Sequence, residues 1–299
     1  MLYFRIGDGT RLGNWMFQYA AAISQHDEVT CYVVKPEMLP KIRQVEYFKD
    51  LKFTTERPKD CEAWAEGKYG FRPIIRQEPA RDFLLSGFFQ TAKYFDPAVV
   101  RDAYRISPAR ETWLRETYGE WLARPKVTSV SVRRGDYLGL PYKHPFVGTK
   151  YLREAIARIP ECDDFIVCSD DIPWCRRFFP RAFPKKRFRF SECRTALDDL
   201  YLASLCQNNI ISNSSFHWWG AWLNAHPGKR VIAPSQWFGY VSGPPENWKD
   251  IYFEGMEILD NGYSIPRYIY AWLYLRWNNF KMWSYPLRKR LGKRFVGNG

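Results

Sequence analysis

From residue 127 onward the chain alternates short apolar strands with helical stretches, and that alternation restricts the fold more than any other feature. Strands read at 127–132, 165–168, around Phe188, 209–212 and 230–233 are separated by helices read at 150–158, 172–179, 196–206 and 216–224. Strands of four to six residues with a helix between successive members argue for a parallel sheet with right-handed crossovers. The chain begins the same way. A strand at 2–6 runs into the turn Gly7-Asp8-Gly9-Thr10-Arg11-Leu12-Gly13-Asn14, then a helix at 16–25, a strand at 29–34 and an apolar run at 83–88. Prolines open two more helices, at 97–104 and 108–122, and Arg124-Pro125-Lys126 reads as a boundary. Residues 35–58 yield no clear element. The expectation is an α/β protein with a Rossmann-like domain over 1–124, a second over 125–260 and a helical, basic, aromatic tail over 261–299.

Sheets of this kind bind ligands outside the carboxyl ends of their strands. Three such ends carry distinctive chemistry. The first delivers Arg133 and Arg134 into the turn at Gly135; guanidinium groups stay charged and grip phosphate oxygens in pairs, so this reads as a phosphate site or as an Arg pair in an ion network with Asp136. The second, Ser212-Asn213-Ser214-Ser215-Phe216, opens a helix, where hydroxyls and free N–H groups suit a phosphate or a plain N-cap. The third, Ser169-Asp170-Asp171, offers Asp170 to a base or ribose and Asp171 as a cap. The aromatic run from Phe216 to Leu223 reads as core, His217 as a packed residue, and His144 as the better placed of the two histidines to face a ligand.

The formal charge is +13, but eight positive charges and no acid follow Asp260, leaving +5 for the body. That tail interleaves its charges with Tyr268, Tyr270, Trp272, Tyr274, Trp277, Phe280, Trp283 and Tyr285. It reads as a packed final helix or as a contact with an anionic bilayer, ahead of nucleic acid, which is not expected as a partner. The seven cysteines are odd in number and never spaced as CxxC, so neither a disulfide framework nor a zinc site is expected. No run of eighteen apolar residues and no leader pattern occur, so a cytoplasmic protein is expected.

Four signatures occur in order: Leu12-Gly13-Asn14-Trp15-Met16-Phe17-Gln18-Tyr19-Ala20; Gly87-Phe88-Phe89-Gln90 with Lys93-Tyr94-Phe95; Arg133-Arg134-Gly135-Asp136-Tyr137; and Asn213-Ser214-Ser215-Phe216-His217-Trp218-Trp219-Gly220-Ala221-Trp222. In order and spacing the chain resembles the bacterial α-1,2-fucosyltransferases over about residues 1–240. The resemblance implies a GT-B fold, an inverting and metal-free transfer, no cofactor, GDP-fucose as donor and a galactose-terminated glycan or glycolipid as acceptor, while the basic aromatic tail is what points to a lipid-linked acceptor at the inner face of the cytoplasmic membrane. By that resemblance Arg133 binds the β-phosphate and stabilises the leaving group, with Arg134 in support. Ser214, Ser215 and Phe216 hold the diphosphate, Asp170 the guanine, and Arg11, Gly13 and Asn14 close over phosphates and fucose. The family usually has His where this chain has Ser131, Gln where it has Trp15 and Ser where it has His217. A different nucleotide-linked deoxysugar therefore stays open as donor, and a nonenzymatic basic surface-binding protein is the reading from another class. Asp8 and His144 are the candidates for the base that takes the acceptor's proton.

Overall fold

The computed structural model describes residues 1–67, 70–78, 81–140, 143–239 and 248–261, with Ile269, Leu273, Arg276 and Trp277. The expected tail lies, those last positions and Asn261 apart, outside the described residues. Two all-parallel sheets form the frame. The first holds β1 (Leu2–Ile6), β2 (Val29–Val33), β3 (Lys52–Thr54), β4 (Glu62–Ala65) and β5 (Phe83–Ser86) in the order β3-β2-β1-β5-β4. The second holds β6 (Thr128–Val132), β7 (Asp164–Ser169), β8 (Arg187–Phe190), β9 (Asn208–Ile210), β10 (Val231–Pro234) and β11 (Met256–Leu259) in the order β11-β10-β9-β6-β7-β8. Every residue of β6 is buried, as a central parallel strand covered on both faces must be.

Eight helices connect the strands among the described residues: α1 (Leu12–Ile23), α2 (Leu39–Arg43), α3 (Pro97–Ala103), α4 (Pro108–Leu122), α5 (Thr149–Ala157), α6 (Ile172–Ala182), α7 (Ala196–Ser204) and α8 (Ser215–Leu223). Several differ from expectation. α1 starts at Leu12, not 16, because the Arg11 carbonyl accepts from the Asn14 and Trp15 N–H groups and draws the glycine turn into the first helical turn. α6 runs on through Pro180, whose missing N–H costs one bond but does not end the helix. β3, β4 and β11 had no legible strand signal; each is an outer strand of its sheet, ordered by its neighbour.

The second sheet keeps its two faces apart. α5 and α6 cover one, around Val130, Val132, Leu152, Ile156 and Phe179. The other face, under α7 and α8, merges with the interior of the first half in one continuous core that includes Phe4, Phe17, Tyr104, Ile166, Leu200, Trp218 and Trp219. α8 is the wedge between halves. Phe17 of α1 lies 4.6 Å from Trp218 and 4.8 Å from Trp219, while Phe95 stacks on Trp219 at 5.3 Å and Tyr104 meets its edge at 5.1 Å. The aromatic run read as core is core.

Trp219→Ala should therefore destabilise the whole molecule by about 3–5 kcal/mol, the usual cost of truncating a large buried aromatic. Urea unfolding followed by far-UV circular dichroism should show one transition shared by both halves. Two separate transitions in the wild-type protein would contradict the continuous core.

Candidate active site

Each sheet has one place where successive connections diverge to opposite sides. In the second it lies between β6 and β9, and in the first between β1 and β5. Crevices at such points are where open α/β sheets bind ligands. The loops leaving these four strands carry Arg133 to Tyr137, Ser212 to Ser214, Gly7 to Arg11, and Gly87 to Gln90, and the fold brings them together.

Arg133 is central. Its side chain is 21% exposed, with Nη2 donating to Asp136 Oδ1 at 2.6 Å and Nη1 paired with Asp170 Oδ2 at 3.0 Å. Arg11, 64% exposed, reaches across from the first half to Asp136 Oδ2 at 3.3 Å. Asp136 thus sits between two guanidinium groups, where an external anion could bridge the same pair. Arg134 points elsewhere: its Nε donates to Asp171 Oδ2 at 3.0 Å, and its head lies 4.0 Å from the Trp174 ring centroid. Only one of the two expected forks is therefore directed at the crevice. Arg134 anchors the loop.

Asp170, expected to accept from a nucleobase, has both oxygens engaged, Oδ1 by the Arg134 N–H at 2.8 Å and Oδ2 by Arg133. A Cβ on Gly135 would come within 2.5 Å of Asp170 Oδ2, so the loop needs glycine to press this carboxylate against the Arg pair. Asp171 caps α6 by accepting from the Trp174 N–H at 3.1 Å, as read.

Across the crevice stands the N-terminus of α8, which no side chain caps. Ser214, buried, and Ser215, half-buried, stand at this terminus. Free N–H groups and hydroxyls at a helix start favour an anion. Gly13 is pressed against this terminus: a Cβ there would fall 2.5 Å from Phe216 N and 2.7 Å from Ser215 Oγ. Its carbonyl accepts from Trp219 Nε1 at 3.1 Å. Asn14 beside it accepts from Gln90 Nε2 at 2.6 Å. Arg11 reaches the second half through Asp136 and Gly13 through packing, while Asn14 bonds within the first half.

The two histidines differ. His217 is buried and bonded through Nδ1 to Ser212 Oγ at 2.6 Å, and burial, aided by the charge of Arg133, pushes its pKa down to about 3. A neutral imidazole therefore stands in the first turn of α8, bonded to the end of the segment that follows β9. His144 stacks on Tyr137 at 4.6 Å, and Tyr137 donates to the Asn213 carbonyl at 3.0 Å. Burial first, then the charges of Lys143, Arg133 and Arg11 against that of Asp136, lower the His144 pKa to about 4. Asp8 is drawn away to Lys35 at 2.6 Å, and that bond holds its carboxyl below the usual range, which weakens it as a base. Among the described residues no three metal-ligating side chains converge. Asp136 and Gln90 lay in motifs already singled out, but their contacts depend on long-range folding.

A model for glycosyl transferase family 11 matches residues 2–239. The chain is 39% identical over 117 residues to the O-antigen biosynthesis glycosyltransferase WbnK of Escherichia coli, covering 37% of this chain and 39% of that one. It is 31% identical over 163 residues to an alpha-1,2-colitosyltransferase of Escherichia coli, covering 51% of this chain and 55% of that one. The matches thus span about half or less of each relative. A solved structure of the alpha-1,6-fucosyltransferase NodZ soaked with GDP-fucose superposes with a TM-score of 0.47 at 14% identity, covering 74% of this chain and 92% of that one.

The Gly13 contact is testable by stability alone. Gly13→Ala should force α1 and α8 apart and cost about 1–3 kcal/mol, as overpacked cores do, measured by urea denaturation. Unchanged stability would mean that the two helix ends are not in close contact.

Proposed function

Because the chain belongs to glycosyl transferase family 11, we propose that it moves fucose from GDP-fucose to a galactoside hydroxyl, with inversion and in a GT-B arrangement of its two halves. The product is an α-1,2 linkage in a precursor of O-antigen or capsule. The observation that carries this reading is that the loop holding Arg133 and the uncapped start of α8 leave the neighbouring strands β6 and β9, joined by the Tyr137 hydroxyl donating to the Asn213 carbonyl, while Arg11 of the first half reaches Asp136 in that loop.

In the proposed reaction the diphosphate displaces Asp136 from Arg133 and Arg11 and takes the hydroxyls of Ser214 and Ser215 and the N–H groups around Phe216. As the bond from the anomeric carbon to the β-phosphate breaks, negative charge grows on the diphosphate. Fixed guanidinium and N–H donors stabilise that charge without a metal. Asp170 and Arg134 hold Arg133 in place, and His144 borders the crevice on the acceptor side. The name of the O-antigen relative supports a surface-glycan acceptor. A lipid-linked acceptor fits a tail that keeps the enzyme on the inner face of the cytoplasmic membrane, and retention on anionic liposomes only while residues 261–299 are present is the expected result. The colitosyltransferase relative, together with Ser131, supports a second reading in which the same site transfers another nucleotide-linked deoxysugar.

Incubation of the purified protein with GDP-fucose and a panel of galactosides, with the new linkage identified by NMR, tests the first reading. A screen of other nucleotide deoxysugars tests the second. Arg133→Ala should lower transfer by about 10²- to 10³-fold, the range for removing one donor to a developing anion, with its circular dichroism spectrum unchanged. Near-normal turnover in that variant would reject the assignment.

A further inference from the structure

Among the described residues the crevice offers no strong base for the acceptor, but a second polar socket lies on the same seam. Glu66, Gly70 and Gln90 of the first half and Phe238, Trp248 and Ile251 of the second line a cavity of about 10 Å³, room for one water-sized group. Trp248 is 1% exposed, and among the described residues its Nε1 has no hydrogen-bond partner. Gln90 Oε1 is likewise buried and unpartnered. A buried donor and a buried acceptor left unmet around one cavity call for a group that both gives and receives hydrogen bonds, which a hydroxyl does.

The third polar group is a carboxylate. Glu66 Oε2 accepts from the Phe88 and Phe89 N–H groups at 2.7 and 2.9 Å, so the turn after β5 fixes its direction. Glu66 and Gln90 are themselves only half-buried. It also adjoins the phosphate cradle: Gln90 Nε2 donates to Asn14, the neighbour of the Gly13 that rests on Ser215 and Phe216. The ion pair of Lys93 with Asp250, whose other oxygen accepts from the Phe71 N–H at 2.9 Å, fastens the two walls together.

Building on the transferase reading above, we propose that this socket receives the acceptor hydroxyl, with Trp248 Nε1 donating to its oxygen, Gln90 Oε1 accepting its O–H on binding, and Glu66 as the general base to which that O–H turns for transfer. The hydroxyl oxygen forms its bond to the anomeric carbon and its proton passes to the Glu66 carboxylate. The bond from that carbon to the diphosphate oxygen breaks, and its electron pair leaves with the nucleotide diphosphate. Burial raises the Glu66 pKa above the ordinary carboxylate value, against the two backbone N–H groups and the Tyr94 hydroxyl, which lower it. The titratable and charged groups around it among the described residues are Tyr94, Arg72, whose N–H donates to the Tyr94 hydroxyl, and the Lys93–Asp250 pair. A base of this kind works ionised, so transfer declines as pH falls through its pKa.

The experiment compares the wild-type protein with Glu66→Gln and Trp248→Phe, measuring GDP binding by calorimetry and transfer kinetics across pH. Glu66→Gln should lower kcat by about 10²- to 10⁴-fold, abolish the acid limb of the pH profile and leave GDP affinity unchanged. Trp248→Phe should raise the acceptor KM by about 3- to 10-fold, as loss of one neutral hydrogen bond does, with GDP binding intact. Wild-type kcat in Glu66→Gln, or an unchanged acceptor KM in Trp248→Phe, overturns the socket while the transferase reading stands. A wild-type protein that neither binds GDP nor transfers any nucleotide sugar overturns both.

Discussion

The contact between the start of α1 and the start of α8 is the constraint on which the rest of the molecule depends. Gly13 lies against the backbone of Ser215 and Phe216, and Trp219 donates back to the Gly13 carbonyl. That approach brings the two crevices together, so that Arg11, Asn14 and Gln90 from one half stand opposite Arg133 and Ser214 from the other. It is held by the aromatic packing of Phe17, Phe95 and Tyr104 on Trp218 and Trp219. A rigid interior of this density transmits small displacements, so the seam and the site cannot be altered independently.

Around Arg133 the charges are nearly balanced. Arg11, Arg133 and Arg134 face Asp136, Asp170 and Asp171. The carboxylates do two different jobs. Asp170 and Asp171 lock the loop after β6 onto the end of β7, which preorganises Arg133 before any ligand arrives. Asp136 lies between guanidinium groups from both halves and ties the loop after β6 to Arg11. Arg134, expected in support of its neighbour, is tied to this scaffold through Asp171 and Trp174.

Much of the frame was legible. The first strand at 2–6 and the helix at 108–122 coincide with β1 and α4, since each is bounded by strong local punctuation. The alternation after residue 127 gave the order of elements because parallel crossovers leave a repeated local signature. Boundaries slipped where long-range contacts outweigh propensity. The glycine turn folded into α1 because α8 packs against it, and β3, β4 and β11 exist only as partners of stronger strands. The family motifs pointed to Arg133, Ser214 and Ser215, yet not to Glu66 or Trp248, which stand in no motif.

The amino-acid sequence by itself determined the α/β class, the parallel connections and the family, because periodicity and motif chemistry are written in neighbouring residues. Only the tertiary structure decided that Arg133 and Arg134 pair with different carboxylates, that Asp170 receives both the Arg133 head and the Arg134 N–H, and that a carboxylate from β4's end shares a socket with an indole beyond β10. Those outcomes turn on distances between residues far apart in the chain, and such distances are set by packing, not by local pattern.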